Sequence, residues 1–103
     1  MAHSLRFHPR AEADLLALYT WIAQESGTAR AGAYLARIEA ACRNLATFPL
    51  IGRPADDLGP GLRLLGFERR AAIIYRIDEE TAVILAIYFG GRDLAALSIP
   101  PPV

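Results

Sequence analysis

The sequence predicts an α+β fold: a short N-terminal strand, an antiparallel helical hairpin, and a three-stranded antiparallel meander that completes a small sheet packed on the helices. Residues 71–77 and 82–89 are apolar runs rich in β-branched and aromatic side chains, which favour strands. The polar residues 78–81 between them are short enough to close a hairpin. Residues 9–47 repeat apolar side chains at helical spacing, so we expect two helices to cover this apolar hairpin.

The N-terminal segment predicts one strand and one helix. Leu5 and Phe7 alternate with polar residues, which indicates a short strand. Pro9 suits the first turn of a helix, which we expect to run to about Ser26. Gly27 is expected to stop this helix in a left-handed conformation. The apolar stripe of the helix is predicted to comprise Ala11, Leu15, Leu18 and Ile22.

A second helix is predicted from Thr28, as its cap, to about Thr47. Because the connection between the two helices is very short, they must fold back as an antiparallel pair. The buried stripe of the second helix is predicted to comprise Leu35, Ile38, Cys42 and Leu45.

Residues 48–61 contain three prolines and three glycines, which exclude regular structure almost throughout. A strand over 62–67 and a turn over 68–70 are predicted to lead into the hairpin, and residues 98–103 form a proline-rich tail. Four apolar side chains are expected to pin the 48–61 loop against helix and sheet: Phe48, Leu50, Ile51 and Leu58.

Composition predicts one soluble domain spanning residues 1–103. Hydrophobic residues make up 53% of the chain, but no apolar run approaches the roughly 20 residues of a membrane span. The absence of a signal-peptide pattern and the single Cys42 predict a cytoplasmic protein. Eleven arginines balance eleven acidic residues, so the overall charge predicts neither direct DNA binding nor membrane binding.

Metal and cofactor sites are not predicted. The only histidines are His3 and His8, and no two possible ligands stand at a metal-site spacing. The glycines of the 48–61 loop lead into a strand and lack the lysine and following helix of a phosphate-binding loop.

One polar constellation remains on the predicted strands. On adjacent antiparallel strands its side chains can converge on one face, where they would suit a phosphodiester or an acidic protein surface. The alternative is that the tyrosines are core aromatics and the arginines solubilise strand edges. The constellation comprises Arg63, Tyr75, Arg76, Tyr88 and Arg92.

Six short segments also carry a resemblance to a known family. Six such segments in this order and spacing are specific evidence for one family. Over nearly its whole length the chain resembles the ParE branch of the RelE/ParE toxin superfamily. The segments are PRAEADL (9–15), LATFP (45–49), IGRP (51–54), LGPGLR (58–63), IIYRI (73–77) and GGRD (90–93).

The resemblance implies the toxin half of a bacterial type II toxin-antitoxin pair, with a ParD-like antitoxin as partner. ParE toxins of this family poison DNA gyrase, whereas their RelE relatives cut mRNA on the ribosome. RNA cleavage needs groups that transfer protons. The chain has no lysine, no histidine after His8, and Phe89 where relatives often carry a histidine. A gyrase inhibitor that acts by protein binding, with no catalytic residues, is therefore favoured.

Two alternatives stay open at this point. One is a ribosome-dependent mRNA endonuclease using Tyr75, Arg76, Tyr88 and Arg92. The other is an interaction domain that kept the fold and lost the activity.

Helices that cover one face of an apolar sheet leave apolar surface for a partner. We predict an antitoxin interface that includes Trp21, a residue type enriched at interface hot spots, although this side chain would equally fit beneath the 48–61 loop. The predicted antitoxin-binding residues are Leu15, Leu18, Trp21, Ile22, Ile51, Arg53 and Pro54. The predicted target-binding residues are Arg69, Arg70, Tyr75, Arg76 and Arg92.

Overall fold

The computed structural model describes residues 4–69 and 71–90. The predicted turn residue Arg70 and everything from residue 91 on, including Arg92 and the proline-rich tail, lie outside the described residues. The elements in chain order are β1 (Ser4–Phe7), α1 (Pro9–Ser26), α2 (Thr28–Thr47), β2 (Arg53–Pro54), β3 (Arg63–Phe67), β4 (Ala71–Asp78) and β5 (Thr81–Phe89). The predicted α+β class is confirmed.

The strands form one five-stranded sheet in the order β1-β5-β4-β3-β2. The predicted meander β3-β4-β5 is antiparallel, but β1 runs parallel to β5, so the sheet is mixed. The pair Asp78↔Thr81 leaves only Glu79 and Glu80 to make the hairpin turn. The short strand β2 was not predicted, because its two residues lie among the prolines and glycines of the 48–61 loop.

Both helices have the predicted limits, and Gly27 serves both of them. Its N–H donates to the Ala23 carbonyl at 2.9 Å, and its carbonyl accepts from the Ala31 N–H at 3.1 Å. A φ of +93° explains why glycine stands there. The prediction that Thr28 caps α2 is wrong, because Thr28 is the first helical residue and no side chain caps this helix.

The main core lies between the helical hairpin and one face of the sheet. Both predicted stripes are buried there apart from Leu35, which is only partly buried. A second, smaller cluster lies on the opposite face of the sheet, which explains why β5 is apolar on both faces. The sheet residues of the main core include Ile73, Tyr75, Ile84 and Ile87. The second cluster comprises Leu62, Ile74, Val83, Leu85 and Ala86.

A buried carboxylate fastens α1 to β5. Asp14 is 7% exposed. Its Oδ2 accepts from the Ile87 backbone N–H at 2.9 Å, and its Oδ1 accepts from Arg10 Nε at 3.1 Å. The pairing of β1 with β5 ends at Phe7↔Ile84, so Asp14 satisfies a buried backbone donor beyond the end of β1.

Within the described residues, neither helix is long and apolar enough to cross a membrane. Over the same residues, no three His, Cys, Asp or Glu side chains gather as a metal site would require.

Candidate protein-binding surface

A buried tyrosine holds the loop between α2 and β2. Tyr75 on β4 is fully buried. Its hydroxyl donates to the Pro49 carbonyl at 2.8 Å and accepts from the Gly52 N–H at 3.0 Å. A Cβ added to Gly52 would lie 2.6 Å from this hydroxyl oxygen. The loop can therefore approach the tyrosine so closely only because residue 52 is glycine.

An arginine on the neighbouring strand holds the same loop. Arg63 on β3 pairs directly with Tyr75. Its Nη2 donates to the carbonyl of Leu50 at 3.2 Å and also to the carbonyl of Gly52. We call Arg63 and Tyr75 the loop clamp. Together they engage the backbone of Pro49, Leu50 and Gly52.

The clamp leaves three large apolar side chains in solvent. Phe48 is 57%, Leu50 71% and Ile51 53% exposed, and we call these three residues the apolar loop patch. The prediction that they pin the loop is wrong, because polar contacts to the backbone hold it instead. Only Leu58, of the four residues named, packs inward, against the second cluster.

The predicted antitoxin-binding residues fall into two groups. Leu15, Leu18 and Ile22 are at most 9% exposed and belong to the main core, so they offer no surface to a partner. Their helical spacing marks the stripe that faces the sheet. The exposed residues of the predicted set are Ile51, Arg53 and Pro54.

Trp21 is half-buried and packs against β5. Its ring lies 5.7 Å from that of Phe89, with the two planes tilted by 36°. With Ile22, Glu25 and Ser26 it lines a surface pocket of about 350 Å³. Part of the indole therefore remains accessible at the end of α1.

The predicted target-binding residues do not form one described cluster. Arg69 is exposed in the turn after β3, where its φ is +61°. Arg76 is half-buried, and its Nη2 lies 3.0 Å from Asp78 Oδ2. Tyr75 is buried under the loop. Arg70 and Arg92 lie outside the described residues.

The described members of the polar constellation also do not converge on one face. Tyr75 faces the helices, whereas its neighbour Arg76 faces the other side of the sheet. Tyr88 is opposite Ala72 on that other side, four positions and about 13 Å along the strands from Arg76. Tyr88 is also only 8% exposed. Arg63 and Tyr75 lie on one face and Arg76 and Tyr88 on the other, so the described tyrosines and arginines do not meet around one phosphate.

Comparison with known proteins agrees with this architecture. The family model described as ParE toxin of the type II toxin-antitoxin system parDE matches residues 5–94. The chain belongs to the ParE toxin family. It is 35% identical to Toxin ParE3 of Caulobacter vibrioides over 96 aligned residues. The alignment covers 93% of this chain and 94% of that protein.

Two solved structures resemble this ParE-family chain. One is the chromosomal ParDE toxin-antitoxin system from P. aeruginosa, with a TM-score of 0.76 and 27% identity over 85% of this chain and 96% of that one. The other is the toxin-antitoxin complex RelBE2 from Mycobacterium tuberculosis, with a TM-score of 0.66 and 26% identity. The match covers 87% of this chain and 100% of that one. The resemblance drawn from the six sequence segments is confirmed.

Sequence reasoning missed several features of this ParE-family surface. Phe48 and Leu50 were expected inside and are exposed. Arg63 was considered only as part of a polar constellation, whereas its contacts are to loop carbonyls. The one signal that pointed to this loop was the density of proline, glycine and apolar residues in 48–61, which is typical of an ordered loop.

Proposed function

We propose that this ParE-family chain is the toxin of a bacterial type II toxin-antitoxin pair, that it inhibits a cytoplasmic target by binding it, and that a ParD-like antitoxin neutralises it. DNA gyrase is the proposed target. Membership of the ParE toxin family supports the toxin role. The two similar solved structures, a ParDE system and a RelBE2 complex, support a protein antitoxin as partner.

The observation that carries the binding mechanism is the burial of both candidate tyrosines. The Tyr75 hydroxyl is fully buried with a donor and an acceptor already in place. Tyr88 is buried on the opposite face. A general acid or base must reach the proton that it transfers. The Tyr75 hydroxyl reaches a phosphate only if the loop moves, and Tyr88 leaves little of its surface in solvent, which supports a binding mechanism over catalysis.

The proposed antitoxin surface keeps only the accessible residues of the predicted set and gains two from the apolar loop patch. Exposed apolar side chains next to arginines are typical of protein interfaces. This surface comprises Phe48, Leu50, Ile51, Arg53 and Pro54, and Trp21, which packs against Phe89 of β5, is kept as a separate antitoxin contact. For the cellular target we keep Arg69 and Arg76, together with Arg70 and Arg92 on sequence grounds.

The proposal is tested by inducible expression of the chain in a bacterial host, with and without the candidate antitoxin, which is the product of the reading frame next to its gene. We expect growth arrest that the neighbouring protein relieves. Purified toxin is then added to gyrase in a supercoiling assay, where inhibition or trapped cleaved DNA is expected. Growth arrest with unaffected gyrase would remove gyrase as the target and keep the toxin role. Normal growth would favour the inactive interaction domain.

A ribosome-dependent mRNA endonuclease is the second candidate, because the RelBE2 complex is among the similar structures. Toeprinting on translating ribosomes tests it with the wild-type chain and with Arg76→Ala and Arg92→Ala. Cleavage that both substitutions abolish would establish this candidate. No cleavage by the wild-type chain would exclude it.

A further inference from the structure

The outer edge of β3 is only partly covered. The two residues of β2 pair with Arg63 and Leu64, whereas β3 continues to Phe67. Within the described part of the chain, no strand lies beside Leu65, Gly66 and Phe67 on that side. An uncovered edge of this kind can pair with a strand from another chain.

The hydrogen bonds of β3 identify the residue with free backbone groups. The Ala55 N–H donates to the Leu62 carbonyl at 2.8 Å, so Leu62 directs its backbone groups toward β2. Alternate residues of a strand direct their N–H and carbonyl to the same side. Gly66 therefore directs both groups outward, while Leu65 and Phe67 direct theirs toward β4, with which they pair.

Neither conformation nor crowding requires a glycine at position 66. Its φ is not positive, and a Cβ added there would have no atom within 4 Å. Gly66 is also exposed. Glycine inside a strand reduces its stability and often marks a place where another backbone approaches. The open edge at Gly66 is such a place.

Two exposed arginines stand on either side of this edge. Arg53 pairs with Leu64, two positions before Gly66, and its side chain is 57% exposed, with the Asp57 carboxylate 3.9 Å away. Arg69 follows β3 and is also exposed. The apolar loop patch directly precedes β2. A strand that pairs at Gly66 would have an arginine near each end and apolar side chains nearby, while Glu68, between Gly66 and Arg69, is already paired with Arg37 at 2.8 Å.

We propose that the antitoxin adds a short extended segment, carrying acidic and apolar side chains, to the sheet at Gly66. This inference rests on the proposed toxin-antitoxin function and specifies one contact of that interface. Main-chain hydrogen bonds to Gly66 give such a segment its affinity, and its side chains give specificity. The acidic side chains of this segment face Arg53 and Arg69. A second copy of the same edge would instead bring its own arginines to these positions.

The test compares Gly66→Pro with Gly66→Ala in the full chain. Proline removes the outward N–H without breaking a bond to β4, and an edge position tolerates it. Alanine keeps the N–H and adds only a methyl group in open space. Binding of the small protein encoded beside the toxin is measured by calorimetry. We expect Gly66→Pro to bind at least about tenfold more weakly than the wild type, and Gly66→Ala within about threefold of it.

Amide exchange in the wild-type complex is the second measurement. We expect exchange of the Gly66 amide to slow on binding. This measurement tests the edge contact even if the Gly66→Pro variant does not fold. Unchanged exchange, or equal affinity of the proline and alanine variants, would overturn the edge contact and leave the proposed function intact. If the wild-type chain does not bind the neighbouring protein, the proposed partner and this inference fail together.

Discussion

Tyr75 and Arg63 direct their polar atoms to the backbone of one loop. The Tyr75 hydroxyl is fully buried and both donates and accepts a hydrogen bond, so its role is structural. From the sequence alone, a tyrosine on a strand also fits a catalytic role. Trp21 and Tyr88 were likewise candidates by residue type, and their burial decides how much of each is accessible. At this scale chemical identity suggests a role, and only the surroundings of the side chain assign one.

Cys42 provides a test at the residue scale. Burial on α2 raises the pKa of its thiol from an ordinary 9.0 to about 12. Because the folded chain keeps this thiol protonated, its contribution to stability is complete below pH 9.0 and is lost as pH rises toward about 12. We expect the free energy of unfolding, measured with urea, to fall over this interval more steeply for the wild type than for Cys42→Ala. Equal pH dependence of the unfolding free energy in the two proteins would contradict a raised pKa of the Cys42 thiol.

The same burial predicts a thiol that is protected in the folded chain. Thiol reagents attack the thiolate and need access to it. Ellman's reagent at pH 8 is expected to label Cys42 only after denaturation. Rapid labelling of the folded chain would show that α2 opens far more readily than its packing implies.

At the scale of elements, the connection between α2 and β3 is an ordered loop that lacks an apolar anchor of its own at residues 48–51. Its course is fixed by contacts to the loop clamp, and its middle part pairs as β2. Asp14 plays a comparable part for α1, which it joins to β5 through the Ile87 N–H. In both places a polar side chain from one element completes the backbone hydrogen bonds of another.

Two glycine-to-alanine substitutions are expected to change stability in opposite directions. Gly52→Ala places a Cβ 2.6 Å from Tyr75 Oη and 2.9 Å from the Leu64 carbonyl oxygen, so we expect a loss of about 1–3 kcal/mol. Gly32→Ala lies within α2 with no atom within 4 Å of the new Cβ, so we expect a gain of about 0.5–1 kcal/mol from helix propensity. Urea unfolding measures both changes. A neutral Gly52→Ala would mean that the loop moves away from Tyr75 at little cost.

At the scale of the whole molecule, accessible apolar residues and exposed arginines meet at the β2 end of the sheet. Three large apolar side chains stand in solvent there, beside Arg53 and the open edge of β3. The opposite edge of the sheet is β1. This asymmetry is the reason for locating the antitoxin surface at the β2 end.

Two exposed leucines test that location. Leu50 is 71% and Leu16 68% exposed, the first in the apolar loop patch and the second on α1. We expect Leu50→Asp to weaken binding of the neighbouring protein by at least about tenfold, because the charge would lose water at the interface. Leu16→Asp is expected to change binding by less than about threefold. Both variants should retain the melting temperature of the wild type within about 2 °C, because both sites are already in water.

An equal loss of affinity in the two variants would mean that the antitoxin also covers the part of α1 that carries Leu16. No loss in either would remove the apolar loop patch from the interface. Calorimetry on the purified variants distinguishes these results.

The sequence by itself determined the helices, four of the five strands and the family. Helix limits at Pro9, Ser26 and Thr47 follow from local periodicity and from proline and glycine, and the two longest strands, β4 and β5, follow from runs rich in β-branched residues, because these signals act within a few residues. The six segments identified the ParE family for the same reason, since they are local and ordered along the chain.

Only the tertiary structure decided which of these residues reach the surface. Tyr75 is buried because a loop 23 positions earlier in the chain folds over it, and Phe48, Leu50 and Ile51 are exposed because that loop is held through its backbone. The parallel pairing of β1 and the open edge at Gly66 likewise depend on contacts between distant segments. Local patterns determine which face of an element is apolar, but not what packs against that face.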